Sequence, residues 1–165
     1  MAGKNKSTIK DKTNAMRQLD QAGITYKMSE YPVDEEDLSG VHAAKLLGVD
    51  EEIVFKTLVA RDNHNNLLVF VIPSPDNLDL KKAAKVSNSK SIELIHTKEL
   101  LGLTGYIRGG CSPIGMKKKF PTFIDETAIL YDEIYFSAGK RGVQIIIDPQ
   151  ELAVFIDAEF FDLVK

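Results

Sequence analysis

Short segments of strand character and short segments of helix character alternate along this chain, and neither type is confined to one half. Apolar and β-branched runs bounded by turn residues predict strands at 24–31, 53–61, 67–72, 92–95, 122–124, 133–137 and 143–147. The turn at 62–66 predicts that the second and third of these strands form an antiparallel hairpin. Helical spacing and capping residues predict short helices at 10–22, 39–47, 80–86, 97–101 and 148–155, with caps at Ser39 and Asp148. This intermixing favours one α+β domain, and a chain of 165 residues with 44% hydrophobic content can fill a single core.

The N-terminus, the single cysteine and the net charge indicate what class of protein to expect. Residues 1–9 are polar and lysine-rich, so we expect a flexible N-terminus followed by one domain at 10–165. Because no apolar segment follows the N-terminus, we expect neither a signal peptide nor a membrane span. This pattern favours a cytoplasmic protein. The single cysteine excludes an internal disulfide, and a net charge of −3 argues against general nucleic-acid coating.

Lys56 interrupts an otherwise apolar strand at 54–60. Strand alternation places it on the same face as Val54 and Leu58 and opposite Phe55 and Thr57. One interpretation is that its stem lies along the sheet and its ammonium reaches water. The other is that the ammonium lines a cleft or pairs with an acid, because its neighbours on that face are apolar. Desolvation would lower the pKa of this lysine, and an anionic partner would raise it.

Residues 105–115 contain four glycines and Pro113. Glycines allow the backbone to approach a ligand closely, and consecutive N–H groups in such a turn can hold a phosphate or an oxyanion. The same composition fits a tight structural turn that holds no ligand. The residues alone leave both interpretations open.

Four segments occur in a specific order: VFKTLV at 54–59, NLDLKKAA at 77–84, the glycine-rich loop at 105–115 and SAGKRG at 137–142. In these motifs the chain closely resembles the YbaK/EbsC family of Cys-tRNA(Pro) deacylases, freestanding relatives of the editing domain inserted in bacterial prolyl-tRNA synthetases. The resemblance runs from about Thr13 to the C-terminus. It implies a mixed, β-barrel-like sheet flanked by short helices, and hydrolysis of the ester that joins a wrong amino acid, chiefly cysteine, to proline tRNA.

The resemblance also implies roles for individual positions. Lys56 matches the family's required lysine, and Gly109 begins a GxxxP loop whose amides are suited to holding the substrate carbonyl, so both are expected to be catalytic. The expected substrate-binding residues are Tyr31, Ser39, Thr57, Gly110, Cys111, Ser112 and Pro113.

The chain shows no evident nucleophile of its own. Cys111 lacks a His-Asp or His-Asn arrangement that would activate it, and the three histidines have no metal-ligand spacing, so neither a metal nor a cofactor is expected. The family implies that the substrate's own thiol attacks its carbonyl and leaves as a cyclic thiolactone. Lys56 would then position the substrate through the terminal phosphate or ribose.

Basic clusters suggest where tRNA would bind. The expected contacts are Lys117, Lys118, Lys140 and Arg141, and Lys119, Lys81, Lys82 and Lys85 also carry charge near the presumed mouth. Each cluster fits a solvated surface equally well. The acidic net charge predicts weak, salt-sensitive tRNA binding, and the family suggests a transient complex with prolyl-tRNA synthetase that supplies selectivity. Membrane and DNA partners are not expected.

Two alternatives remain. The pocket would edit another small aminoacyl group, such as alanine, by using water, or the domain would have lost catalysis and would bind only tRNA or a synthetase. Lys56 and the loop glycines argue against the second alternative.

Overall fold

The computed structural model describes residues 12–165, so the expected flexible segment 1–9 and the start of the first predicted helix lie outside the described residues. The α-helices are α1 (Asn14–Gln21), α2 (Gly40–Leu47), α3 (Leu80–Val86), α4 (Leu100–Thr104) and α5 (Pro149–Ile156). The strands are β1 (Lys27–Glu30), β2 (Phe55–Asp62), β3 (Leu67–Pro73), β4 (Ile92–Leu94), β5 (Thr122–Asp125), β6 (Ile134–Ser137), β7 (Val143–Ile147) and β8 (Glu159–Phe161). Short 3-10 turns occur at Glu51–Ile53, Thr97–Glu99 and Glu126–Leu130. The predicted α+β class is confirmed.

The strands form two sheets. The larger sheet has the order β4-β2-β3-β5-β8, and the smaller sheet has the order β1-β7-β6. β2 and β3 pair antiparallel, as predicted, whereas β3–β5 and β5–β8 are parallel pairs. An isolated parallel bridge between Val54 and Tyr135 links the sheets, which do not close into a continuous barrel.

Capping residues set the ends of the short helices. Ser39 Oγ accepts from the amide of His42 at 3.1 Å, and Gly48 ends α2 with a φ of 73°. At α5, Asp148 accepts from the amide of Gln150 at 2.8 Å and Pro149 occupies the first turn. The caps predicted at both helices are confirmed. No helix within residues 12–165 has the length and apolar character needed to cross a membrane.

β3 is buried on both faces. Val69 and Val71 face the main apolar cluster, which lies between the sheets and includes Phe136 and Ile145. The alternate residues, among them Phe70, face a second cluster that includes Ala83 of α3. Double burial fixes β3, and through it the paired strand β2, in the middle of the fold.

β8 was not predicted from the sequence, and β1 is shorter than predicted. β8 has only three residues and pairs in parallel with β5, a contact between distant segments that no local pattern signals. The strand predicted from residue 24 begins only at Lys27, because the amide of Ile24 bonds the carbonyl of Leu19 and completes the turn that ends α1.

Asp125 fastens the C-terminal segment to the end of β5. The residue is 1% exposed, and its carboxylate accepts from the amides of Leu163 and Thr127 at 2.9 and 3.2 Å.

Asp125→Ala leaves the buried Leu163 amide unpaired, so we expect a loss of about 2–3 kcal/mol in the free energy of unfolding. Chemical denaturation measures this, with Glu126→Ala as the neighbouring control. An unchanged midpoint for Asp125→Ala would contradict the anchoring role.

Candidate functional site

A cleft of about 400 Å³ lies beside the first half of β2. Val54 to Val59 form one wall, and the loop before α2, the glycine-rich loop and the small sheet complete it. The volume is within the usual range for small-molecule sites. The cleft brings together predicted residues that lie far apart in the sequence, namely Tyr31, Ser39, Lys56, Thr57, Gly109 and Cys111.

Lys56 is half-buried in this cleft. Burial lowers the pKa of its ammonium from the ordinary 10.5, and the charge of Asp76 opposes this shift. Among the described residues, no carboxylate lies within ion-pair distance of Lys56 Nζ. A partly desolvated cation without a salt bridge is suited to holding an anionic or polar group of a ligand.

The glycine-rich loop contributes Arg108, Gly109 and Cys111 to the cleft wall. Gly109 has a φ of +83°, and a Cβ built there would lie 3.1 Å from Leu38 Cβ. The positive φ therefore favours glycine, and an added Cβ would make a tight contact with Leu38. The amide of Gly110 donates to the carbonyl of Ile107 at 2.9 Å, whereas those of Gly109 and Cys111 have no partner among the described residues.

Three of the predicted substrate-binding residues do not line the cleft. Gly110 lies behind the wall against the backbone of Arg141. A Cβ built on Gly110 would be 3.3 Å from the backbone nitrogen of Arg141. Ser112 is fully buried, and its Oγ accepts from the amide of Ile114 at 3.3 Å. Pro113 lines a separate hollow together with Lys118. These residues shape the loop from behind the wall.

Ser39 and Thr57 differ in what their hydroxyls contact. Ser39 Oγ caps α2 and donates to Asp37 at 2.7 Å, so the protein already uses this hydroxyl. Thr57 Oγ1 is buried without a hydrogen-bond partner among the described residues. A buried hydroxyl without a partner is costly, which makes Thr57 the better candidate for contacting a ligand.

Gln144 of β7 is a cleft residue that the site prediction missed. It is 5% exposed, it lines the cleft, and its Oε1 has no hydrogen-bond partner among the described residues. The available signal was its position as the only polar residue in an apolar strand. Arg108 was also missed, although it adds a second cation to the cleft wall.

Cys111 is unsuited to act as a nucleophile. The residue is 9% exposed, and burial raises the pKa of its thiol to about 12, so the thiol stays protonated at neutral pH. Nowhere in residues 12–165 do three His, Cys, Asp or Glu side chains converge so that they could hold a metal ion.

An ion pair holds the wall that follows β4. Arg61 Nη2 lies 2.8 Å from Glu99 Oε1, and Glu99 also accepts from the amide of His96 at 2.9 Å. The hydrogen bonds from Arg61 and His96 lower the pKa of Glu99 to about 2. The pair ties β2 to the segment that supplies Leu94 and Leu100 to the cleft.

None of the predicted tRNA-binding residues lines the cleft. Lys118 and Lys119 lie at the hollow that contains Pro113, and Lys117 Nζ donates to the carbonyl of Gly102 at 3.2 Å. Arg141 contacts Glu35 and the backbone of Arg108, whereas its neighbour Lys140 is exposed. Their contact with tRNA stays a prediction.

Comparisons with known proteins identify the family of the chain. The family profile described as aminoacyl-tRNA editing domain matches residues 36–155. A relative from Enterococcus faecalis, provisionally named Cys-tRNA(Pro)/Cys-tRNA(Cys) deacylase EbsC, is 46% identical over 158 residues, which cover 96% of each chain.

Solved structures share the fold. That of a candidate trans-editing enzyme for prolyl-tRNA synthetase aligns with a TM-score of 0.79 at 24% identity and covers 93% of this chain and 98% of the other. A hypothetical protein aligns with a TM-score of 0.80 at 23% identity and covers 90% and 97%. The resemblance found in the four sequence motifs is confirmed, and the chain belongs to the aminoacyl-tRNA editing domain family.

Proposed function

We propose that this protein removes the amino acid from a mischarged aminoacyl-tRNA by cleaving its ester bond, with Cys-tRNA(Pro) as the substrate. The observation that carries the proposal is the cleft that joins Lys56, which has no salt bridge within residues 12–165, to the glycine-rich loop at Gly109. Membership of the editing family and the name of the Enterococcus faecalis relative support the same reaction.

Lys56 holds the end of the tRNA. The protein supplies no carboxylate within ion-pair distance of its ammonium in residues 12–165, so a phosphate or ribose oxygen of the substrate takes that place. Binding an anion stabilises the charged form that burial disfavours. Arg108 adds a second positive charge on the same wall.

The loop holds the ester carbonyl. The amides of Gly109 and Cys111, which have no partner among the described residues, are the available donors for the oxygen on which negative charge develops. Thr57 and Gln144 each bring a buried side-chain oxygen without a partner to the cleft, and these atoms hydrogen-bond the aminoacyl group.

The substrate supplies the nucleophile. The cysteinyl thiol loses its proton to solvent, and its sulfur attacks the ester carbonyl carbon to give a tetrahedral intermediate. The bond between that carbon and the ribose oxygen then breaks, the ribose oxygen takes up a proton, and a cyclic thiolactone leaves. Water later opens the thiolactone to cysteine. The protein contributes position and charge stabilisation, and Cys111, with a pKa of about 12, takes no part.

A partner supplies much of the tRNA selectivity. The net charge is −3, and two of the predicted tRNA-binding cations, Lys117 and Arg141, are held by other residues of the protein. Weak phosphate contacts carry no discrimination between tRNAs. A transient complex with prolyl-tRNA synthetase in the cytoplasm provides that discrimination.

Deacylation of Cys-tRNA(Pro) and Ala-tRNA(Pro) by the wild type and Lys56→Ala tests the proposal. We expect rapid loss of cysteine only, and a fall of at least about 100-fold for Lys56→Ala because substrate positioning is lost. Lys90→Ala, at an exposed position, is the matched control. Loss of alanine would indicate editing by water, and turnover of neither substrate would leave only the binding function.

The free energy of unfolding of Lys56→Met separates a functional lysine from a structural one. The pKa of Lys56 is lower in the folded protein than in the unfolded chain, so the unfolded chain binds the proton more tightly. At a pH below the pKa in the folded protein, the charge on Lys56 therefore lowers the free energy of unfolding. We expect Lys56→Met to be more stable than the wild type at neutral pH although inactive. The advantage should shrink as the pH rises towards 10.5, the ordinary pKa of lysine. A less stable variant would show that the ammonium serves the fold.

Gln144→Leu tests whether Gln144, a cleft residue that was not predicted from the sequence, contacts the substrate. Its Oε1 has no partner in the described part of the chain, so the free protein should keep its stability, whereas the substrate loses one hydrogen bond. We expect kcat/KM to fall by about tenfold, which corresponds to about 1.4 kcal/mol. Steady-state kinetics and thermal unfolding measure the two effects, with exposed Gln150→Leu as the control. Lost stability with unchanged kcat/KM would assign Gln144 to the core.

A further inference from the structure

Arg141 lies in the turn between β6 and β7, within the SAGKRG segment. Its side chain is only 28% exposed. Nε donates to the carbonyl oxygen of Arg108 at 2.9 Å, and Nη1 lies 3.3 and 3.4 Å from the two carboxylate oxygens of Glu35. One guanidinium therefore joins this turn to the glycine-rich loop, 33 residues away, and to the loop before α2, 106 residues away.

The contact with Arg108 bears directly on Gly109. The carbonyl of Arg108 and the N–H of Gly109 belong to one planar peptide unit, and none of the described peptide bonds is cis. In a trans unit the C=O and the N–H point in opposite directions, so fixing the carbonyl towards Arg141 points the Gly109 N–H away from it. The next amide, that of Gly110, is held separately by the carbonyl of Ile107 at 2.9 Å.

Packing also restricts this part of the loop. A Cβ built on Gly109 would lie 3.5 Å from Arg141 Cγ and 3.1 Å from Leu38 Cβ. The stem of Arg141 and the Leu38 side chain therefore both lie close to Gly109. This packing and the hydrogen bond act on neighbouring parts of the same loop.

We propose that Arg141 is a positioning residue, which orients the Gly109 amide towards the substrate carbonyl and acts through the Arg108 carbonyl, without touching the tRNA. This inference rests on the proposed deacylase function. Arginine suits the role because its rigid fork bonds a carbonyl and a carboxylate at once, which the point charge of lysine does not reproduce. Glu35 also offsets the positive charge that a phosphate would need.

Arg141→Gln and Arg141→Lys are compared in deacylation kinetics and in tRNA binding at several salt concentrations. A positioning role predicts a fall in kcat of about 10- to 100-fold for Arg141→Gln. The affinity for uncharged tRNA(Pro) and its salt dependence should stay those of the wild type. Arg141→Lys, which keeps the charge but not the fork, should recover little of the lost kcat. Arg17→Gln, which removes an exposed arginine of α1, is the matched control.

The opposite pattern overturns the inference. If Arg141 contacted a phosphate, Arg141→Gln would weaken tRNA binding, reduce the salt slope by about 0.7, leave kcat unchanged, and be rescued by Arg141→Lys. An unchanged kcat with unchanged binding would equally contradict positioning.

A measurement that needs no turnover separates this inference from the proposed function. In the labelled protein, Arg141→Gln should shift the amide resonance of Gly109 and speed its hydrogen exchange, whereas Arg17→Gln should not. If the wild type failed to deacylate the substrate, the proposed deacylase function would be wrong. If Arg141→Gln left the resonance and exchange rate of the Gly109 amide unchanged, the proposed role of Arg141 would be wrong. If Arg141→Gln does not fold, Glu35→Gln, which removes one partner of the guanidinium, should give the same changes to a smaller degree.

Discussion

The pairing of β2 with β3 supports both the core and the site. Because β3 is buried on both faces, its residues leave little freedom for the strand beside it, and Lys56 is held opposite Ile72 in that pairing. The partial desolvation of the ammonium follows from this position. The fold thus accepts an energetic cost at the lysine, and the core on either side of β3 offsets that cost.

The candidate site offers groups that position a substrate rather than a nucleophile of its own. The one thiol is protonated, and the chain offers backbone amides, a cation and buried polar atoms around a cleft. Such a site can accelerate a reaction by positioning and charge stabilisation when the nucleophile comes from the substrate or from water. Selectivity for a cysteinyl group would then follow from the chemistry of the substrate as much as from the shape of the pocket.

Local signals predicted the elements whose causes are local. The caps at Ser39 and Asp148 and the β2–β3 hairpin depend on residues close in sequence, and Lys56 was conspicuous within its own strand. β8, the cleft position of Gln144 and the contacts of Arg141 depend on segments that meet only after folding. The tRNA contacts expected at Lys140 and Arg141 stay a prediction, and the sequence does not reveal that Glu35 lies beside the Arg141 guanidinium.

The isolated bridge between Val54 and Tyr135 places the cleft at a seam between two sheets. Lys56 follows Val54 on one side of the seam, and Ser137 and Gln144 belong to the other sheet. A small rotation of one sheet against the other would widen or narrow the cleft without breaking a hydrogen bond inside either sheet. The width of the cleft therefore depends on the side chains packed between the two sheets as well as on those that line the cleft.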